Sequence, residues 1–200
     1  MIKTNTVFIL GAGASVPFKY PTSIKLREAI LKNQHEAKII QALNSEDHDP
    51  QSFIKLQRDF LNDFMRSSVY SIDSFLEHRN EYMTIGKMNI AANLIIHEND
   101  GTLRQTEDNW YMYLYDRLKV SFERIKENKI SFITFNYDRS LEQFFFEAIR
   151  CRFGKKLKEC AEVMKAIPIV HLYGQLDFLE WQSNEGQEYS THKKFIERLR

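Results

Sequence analysis

Cysteine is nearly missing from this chain, with Cys151 and Cys160 the only two present. That excludes a four-cysteine zinc site, and no nearby histidine pair completes a mixed one. Both thiols read as buried or bystander groups in a reducing compartment. No apolar run is long enough to span a bilayer. Met1-Ile2-Lys3-Thr4-Asn5 leads straight into a strand-like segment rather than a signal peptide's hydrophobic stretch, so the expected location is cytoplasmic. An excess of either charge is lacking too. With 28 basic against 27 acidic residues, the formal charge of +1 gives no long-range field to draw in nucleic acid or an anionic membrane. Neither is expected as a partner, and any anionic ligand has to be held by a local site. There is no internal repeat and no low-complexity tract.

What remains is enough to build a core: 43% of the 200 residues are hydrophobic, which fits one domain with an inserted helical part. Thr6-Val7-Phe8-Ile9-Leu10 is a continuous apolar run ended by Gly11-Ala12-Gly13. Such a run suits a strand buried on both faces of a parallel sheet. After Pro21, Thr22 or Ser23 can cap a helix that carries Ile24, Leu26, Ile30, Ala37 and Ile40 toward Gln41. Asn44 to Pro50 is polar and reads as a solvated loop. Helical patterns then run through Phe53 to Met65, Ser71 to Ile96 and, after a polar break at Glu98 to Glu107, Trp110 to Ile125. Ile130 to Phe135 is the second clear strand and Ile167 to Leu172 the third, with helices over 139–151 and 155–165. This order predicts an α/β fold with a parallel sheet: a single domain over 1–200 with a helical insertion over 45–128.

Each strand ends on residues suited to chemistry. Gly11-Ala12-Gly13-Ala14-Ser15 follows the first, and paired glycines there let backbone N–H groups approach a phosphate. The dehydrogenase fingerprint is incomplete, because Val16 stands where its third glycine belongs and Lys32 and Asn33 where its ribose-binding acid belongs. A P-loop is excluded by the absence of a Gly-Lys-Ser/Thr sequence. Thr134-Phe135-Asn136-Tyr137-Asp138 closes the second strand. Ligands of open α/β sheets lie outside the carboxyl ends of strands, which would set Asn136 and Asp138 in the crevice of Gly11 and Gly13. The alternative is a helix cap, a role Asp138 suits better than Asn136. Val170-His171-Leu172-Tyr173-Gly174 closes the third strand, where a lone histidine is either a satisfied core residue or a proton acceptor.

In this order, Gly-Ala-Gly-Ala-Ser, Thr-x-Asn-x-Asp and a histidine shortly before a glycine resemble the sirtuin family, in particular the bacterial sirtuin-like NAD hydrolases of antiphage defence. The likeness covers 6–23, 71–77, 130–142 and 167–177, with Ser71 to Glu77 similar to the family's segment ahead of the core helices. It implies a Rossmann-like NAD site in which Gly11, Ala12, Gly13 and Ser15 hold the pyrophosphate. Asn136 and Asp138 would address the nicotinamide ribose and carboxamide, and Thr134 is counted with the cofactor-binding residues. Deacetylating sirtuins carry an Ile-Pro-Asp-Phe-Arg loop and a four-cysteine zinc module, whereas this chain has Tyr20-Pro21-Thr22-Ser23 and two cysteines. Metal-free transfer of ADP-ribose to water is the stronger expectation, ahead of a nucleotide sensor without turnover and of a protein deacylase.

In sirtuins the histidine directly precedes the glycine; here Tyr173 does, and His171 stands two residues earlier. Residues i and i+2 of a strand share a face, so His171 is expected to reach the cleft of Tyr173. It is the better base near neutral pH, with Tyr173 as orienter or substitute. Beyond His171 the chain has room for one basic amphipathic helix, from Ser190 to Arg200 with Phe195, Ile196 and Leu199 as its stripe. The sheet is thus expected to be incomplete, with an open adenine half and exposed edges, and a homo-oligomer or companion subunit is expected to cover them.

Overall fold

The computed structural model describes residues 1–43, 50–190 and 196–199. The loop expected from Asn44 lies outside the described residues up to position 49, as does Phe195 of the C-terminal helical pattern. The chain divides into two compact units, one of Met1–Tyr20 with Glu98–Ser190 and one of Pro21–His97 with Thr191–Arg200.

The first unit is α/β and Rossmann-like. Strand β1 (Thr6–Leu10) leads through Gly11 into a 3-10 turn over Ala12–Phe18. β2 (Ile130–Thr134) and β3 (Ile169–His171) follow much later in the chain. The three strands are parallel in the order β1-β2-β3, with Phe8 beside Phe132 and Thr134 beside both Leu10 and His171. Because side chains alternate along a strand, Phe8, Phe132 and Ile169 share one face and Val7, Ile9, Ile133 and Val170 the other.

The first of these faces is the core. Phe132 is fully buried, stacks on Phe8 and meets Phe145 edge-on. The second face is largely open: Val7 is 55%, Ile9 71% and Val170 49% exposed, with Ile133 of the central strand half-buried. This corrects the expectation of a first strand buried on both sides. A run of apolar residues is compatible with a central parallel strand, but β1 is an edge strand and only its alternate side chains are covered.

The second unit is helical. It holds α1 (Ser23–Leu31), α2 (Glu36–Leu43), α3 (Pro50–Arg66), α4 (Ile72–Leu76) and α5 (Met83–Ile95). Thr22 caps α1 through its hydroxyl, as expected. The single helix expected up to Gln41 is broken, because Asn33 takes a left-handed conformation (φ 53°) between α1 and α2. Ile24, counted for its apolar stripe, is exposed. The pattern from Ser71 to Ile96 is likewise divided, by a 3-10 turn at Asn80–Tyr82. A cluster of Phe60, Phe64, Phe75 and Tyr82 forms much of this unit's interior.

The helical unit thus begins at Pro21 rather than at 45 and ends at His97 rather than at 128. The reason is packing: α6 (Asp100–Gln105) and α7 (Trp110–Arg117) lie against α8 (Ser140–Phe153) in the sheet-bearing unit, while α1 lies against α3 and α5. The first unit is completed by α9 (Leu157–Met164), which also packs on α8. Its last stretch is held by Arg139, whose side chain is fully buried. The guanidinium pairs with both oxygens of the buried Glu98 and donates to the carbonyls of Phe178, Gln187 and Glu188.

Candidate functional site

The parallel strands deliver their carboxyl ends to one side of the sheet, so Gly11, Asn136 and His171 come together although the chain separates them widely. Phe135 N–H donates to the Leu10 carbonyl at 3.0 Å and Leu172 N–H to the Thr134 carbonyl at 2.9 Å. The ladder therefore runs on past the strands and holds the Thr134–Asp138 turn between its neighbours.

At the first strand end, neither Gly11 nor Gly13 has a positive φ, and a Cβ at either would meet no other atom within 4 Å. The protein's own packing does not require glycine at either position. Both are exposed, which leaves their backbone open to close approach by a ligand. The turn beneath them is pinned by Trp110, whose indole N–H donates to the Ala14 carbonyl at 2.8 Å.

Asn136 is held on every side. Its N–H donates to Thr134 Oγ1 at 3.0 Å and its carbonyl faces His171 Nδ1 at 2.7 Å. Its side-chain Nδ2 donates to the Gly11 carbonyl at 3.0 Å and to Ser15 Oγ at 2.9 Å. The Gly11 carbonyl can only accept, which fixes the sense of the amide. Both amide hydrogens are consumed, and Asn136 Oδ1 has no donor among the described residues.

Behind Asn136 lies a buried polar relay. Ser15 Oγ donates to Asp138 Oδ2 at 2.6 Å, while Asp138 Oδ1 accepts from the Ser140 N–H at 3.1 Å and from the Ser140 hydroxyl. The Ser140 hydroxyl also meets Tyr111 Oη at 2.7 Å. Of the two roles weighed for Asp138, the helix-start role fits its bond to the N–H of Ser140, the first residue of α8; its buried carboxyl is engaged by Ser15 and Ser140 rather than open to the crevice. Burial raises its carboxyl above the ordinary value of 3.8, against the hydrogen bonds from Ser140 and Ser15.

His171 lies on the helix-facing side of the sheet, beside Thr134, with a side chain only 6% exposed. Its Nε2 is 2.6 Å from Oε1 of the buried Glu142. Tyr173 is exposed and sits past the strand end, against the rings of Phe135 and Tyr137. The expected shared face for these two residues does not form, because β3 stops at His171 and the two-residue alternation stops with it.

Of the residues expected in the site, Gly11, Ser15, Thr134, Asn136, Asp138 and His171 form one connected network, and Ala12 and Gly13 belong to the turn above it. Thr134, Ser15 and Asp138 are buried, with their polar atoms engaged by the network. Gly11, Gly13 and Tyr173 are exposed and Asn136 half-buried. Sequence reasoning missed Ser140, Tyr111 and Glu142. The only trace of Glu142 was its place in the first turn of α8, and nothing in its surroundings announces a histidine 29 residues away.

A groove of about 660 Å³ runs elsewhere, past Phe8, Trp110 and Arg117, and shares no residue with the strand ends. Among the described residues no group of histidine, cysteine, aspartate and glutamate side chains is arranged to hold a metal ion. No helix among them is long and apolar enough to cross a membrane. Comparison with known proteins finds no matching family, no matching curated protein and no matching solved structure.

Proposed function

We propose that this chain binds NAD at the strand ends of its sheet and hydrolyses the nicotinamide–ribose bond, releasing nicotinamide and ADP-ribose. The observation that carries this reading is the presentation of Asn136: the protein consumes both of its amide hydrogens and leaves Oδ1 as a fixed acceptor beside two glycines whose backbone is open. The resemblance to sirtuin-like hydrolases of antiphage defence supports the same assignment and extends it to that setting.

The chemistry asks little more of the residues present. As neutral nicotinamide leaves, positive charge builds on the ribose, and an acceptor already oriented costs no reorganisation at that moment. Asn136 Oδ1 accepts a hydrogen bond from the attacking water or from a ribose hydroxyl and fixes its direction. Water adds to the anomeric carbon, the bond to nicotinamide breaks, and the surplus proton passes to solvent. Gly11 and Gly13 admit the pyrophosphate to backbone N–H groups, and Tyr173 stands exposed at the rim.

A second reading, nucleotide binding without turnover, is favoured by one observation: His171 is buried and both of its ring nitrogens are engaged, so it presents no free lone pair to the cleft. Incubating the purified chain with NAD and following nicotinamide by chromatography separates the two. Release of nicotinamide that Asn136→Ala abolishes supports the hydrolase. Saturable binding of NAD and ADP-ribose without release supports the sensor, and absence of both overturns the site.

A further inference from the structure

The strand-end network contains a pair whose chemistry is decided by its partners. His171 Nδ1 faces the Asn136 carbonyl at 2.7 Å, and a carbonyl only accepts, so Nδ1 carries a proton. Nε2 faces Glu142 Oε1 at 2.6 Å, and a carboxylate there accepts as well. With Glu142 ionised, two acceptors on one imidazole require a proton on each nitrogen. Glu142 is 2% exposed and its other oxygen, Oε2, is buried with no hydrogen-bond partner among the described residues. A carboxylate satisfied on one oxygen alone is costly to bury unless that partner is a cation.

We propose that Glu142 and His171 are positioning residues: the imidazolium, held by Glu142, clamps the Asn136 main chain and thereby aims the Asn136 carboxamide, and His171 is not the proton acceptor. The proposal rests on the reading of Asn136 as the working acceptor. The route is short. His171 fixes the carbonyl of the residue whose N–H is fixed by Thr134 and whose side chain is fixed by Gly11 and Ser15. A neutral ring keeps only one proton, so titration would set a lone pair either against the Asn136 carbonyl at 2.7 Å or against the Glu142 carboxylate at 2.6 Å, and loosen the clamp in both cases.

The surrounding charges agree. Burial alone disfavours the imidazolium, but the hydrogen bond and charge of Glu142 on α8, the Asn136 carbonyl and the charge of Asp138 in the turn ahead of α8 outweigh it. The ring's pKa is raised above 6.5.

A clamp and a base make opposite demands on pH. If His171 were the base, turnover would rise as the ring loses its proton; for a clamp, turnover falls over the same range. The experiment titrates the ring nitrogens of His171 by nitrogen-detected NMR, assigned by their loss in His171→Gln, and measures kcat and KM for NAD across the same pH range. Expected in the wild type are two protonated nitrogens at neutral pH and a kcat that declines as they titrate. In Glu142→Gln the nitrogens should titrate at lower pH, with kcat at neutral pH down about tenfold and KM within about twofold.

A ring that is singly protonated at neutral pH, or a kcat that rises through its titration, overturns the clamp. If Glu142→Gln does not fold, the wild-type nitrogens and the sign of the wild-type pH profile decide alone. If the nitrogens are both protonated but no nicotinamide appears at any pH, the hydrolase reading fails, and the clamp is then judged by NAD affinity, which must fall as the ring titrates.

Discussion

Each unit of this protein buries a cluster of polar side chains, and the two clusters differ in kind. In the helical unit the cluster is made of neutral amides. Gln57 Nε2 donates to Asn33 Oδ1 at 2.8 Å and to Asn89 Oδ1 at 3.1 Å, while Asn89 Nδ2 returns a bond to Gln57 Oε1 at 2.8 Å and reaches the Ile85 carbonyl. Asn93 closes onto the Asn89 carbonyl. All four amide hydrogens of Gln57 and Asn89 end inside this set or on a helix carbonyl, which ties α3 to α5. In the sheet-bearing unit the cluster is titratable, reaches an exposed surface at Asn136, and keeps two acceptors in hand, Asn136 Oδ1 and Glu142 Oε2. A closed network of amides specifies packing. A network with an aimed, unused acceptor at its mouth is the one to which the proposed ligand is assigned.

The sharpest way to break this contrast is to remove the mouth of the open cluster. Asn136→Ala is expected to cut nicotinamide release by about a hundredfold or more while the melting temperature stays within a few degrees, because the lost group orients a reacting partner and adds little to the core. Parallel loss of fold and activity would make Asn136 one more structural amide.

The closed cluster should behave in the opposite way. Asn89→Leu, which strands the amide of Gln57, is expected to cost about 1–3 kcal/mol of stability in denaturant melts, with activity per folded molecule unchanged. Pairing it with Gln57→Leu should cost clearly less than the two single changes added together, since the second substitution removes the group that the first left stranded.

Acidity separates the clusters next. The pKa of His171 is raised in the folded state, so the stability it contributes is fully present below pH 6.5 and is lost as pH climbs through its higher folded value. Asp138, also raised, acts in the same direction from 3.8 upward, because burying its ionised form costs stability that burying the neutral form does not. The melting gap between wild type and His171→Gln should therefore be widest near about pH 5 and shrink toward about pH 9, whereas the gap for Asn89→Leu should not change with pH. A His171 gap that widens with pH would contradict the imidazolium.

The smallest effect on the fold is expected at the glycine turn. In Gly13→Ala the new methyl meets nothing and no positive φ is disturbed, so stability should hold or rise by up to about 1 kcal/mol through a less flexible unfolded chain. NAD affinity should nonetheless fall, measured by calorimetry, if the turn admits a pyrophosphate. Unchanged affinity would move the ligand elsewhere.

The local chemistry of this protein was legible in its sequence. Four apolar residues, Val7 to Leu10, ending on Gly-Ala-Gly marked β1, the patterns at 130–135 and 167–172 marked β2 and β3, and polar residues just past each of them marked the candidate site, because parallel strands send their ends to one side of a sheet. Thr22 as a cap and Asp138 ahead of α8 also follow from short-range rules, in which the bonding partner lies a few residues away.

What only the tertiary structure decided depends on distant partners. β1 read as a strand buried on both faces, yet Ile9 is bare, since an apolar run does not say whether anything packs over its second face. The helix expected through Gln41 broke at Asn33, where the amide of Gln57 from α3 meets the Asn33 side chain. His171 read as a base because imidazole suits that role in isolation. Its environment comes from a glutamate on α8 and a carbonyl past the end of β2, and no pattern around residue 171 contains either of those two groups, on which the proposed imidazolium rests.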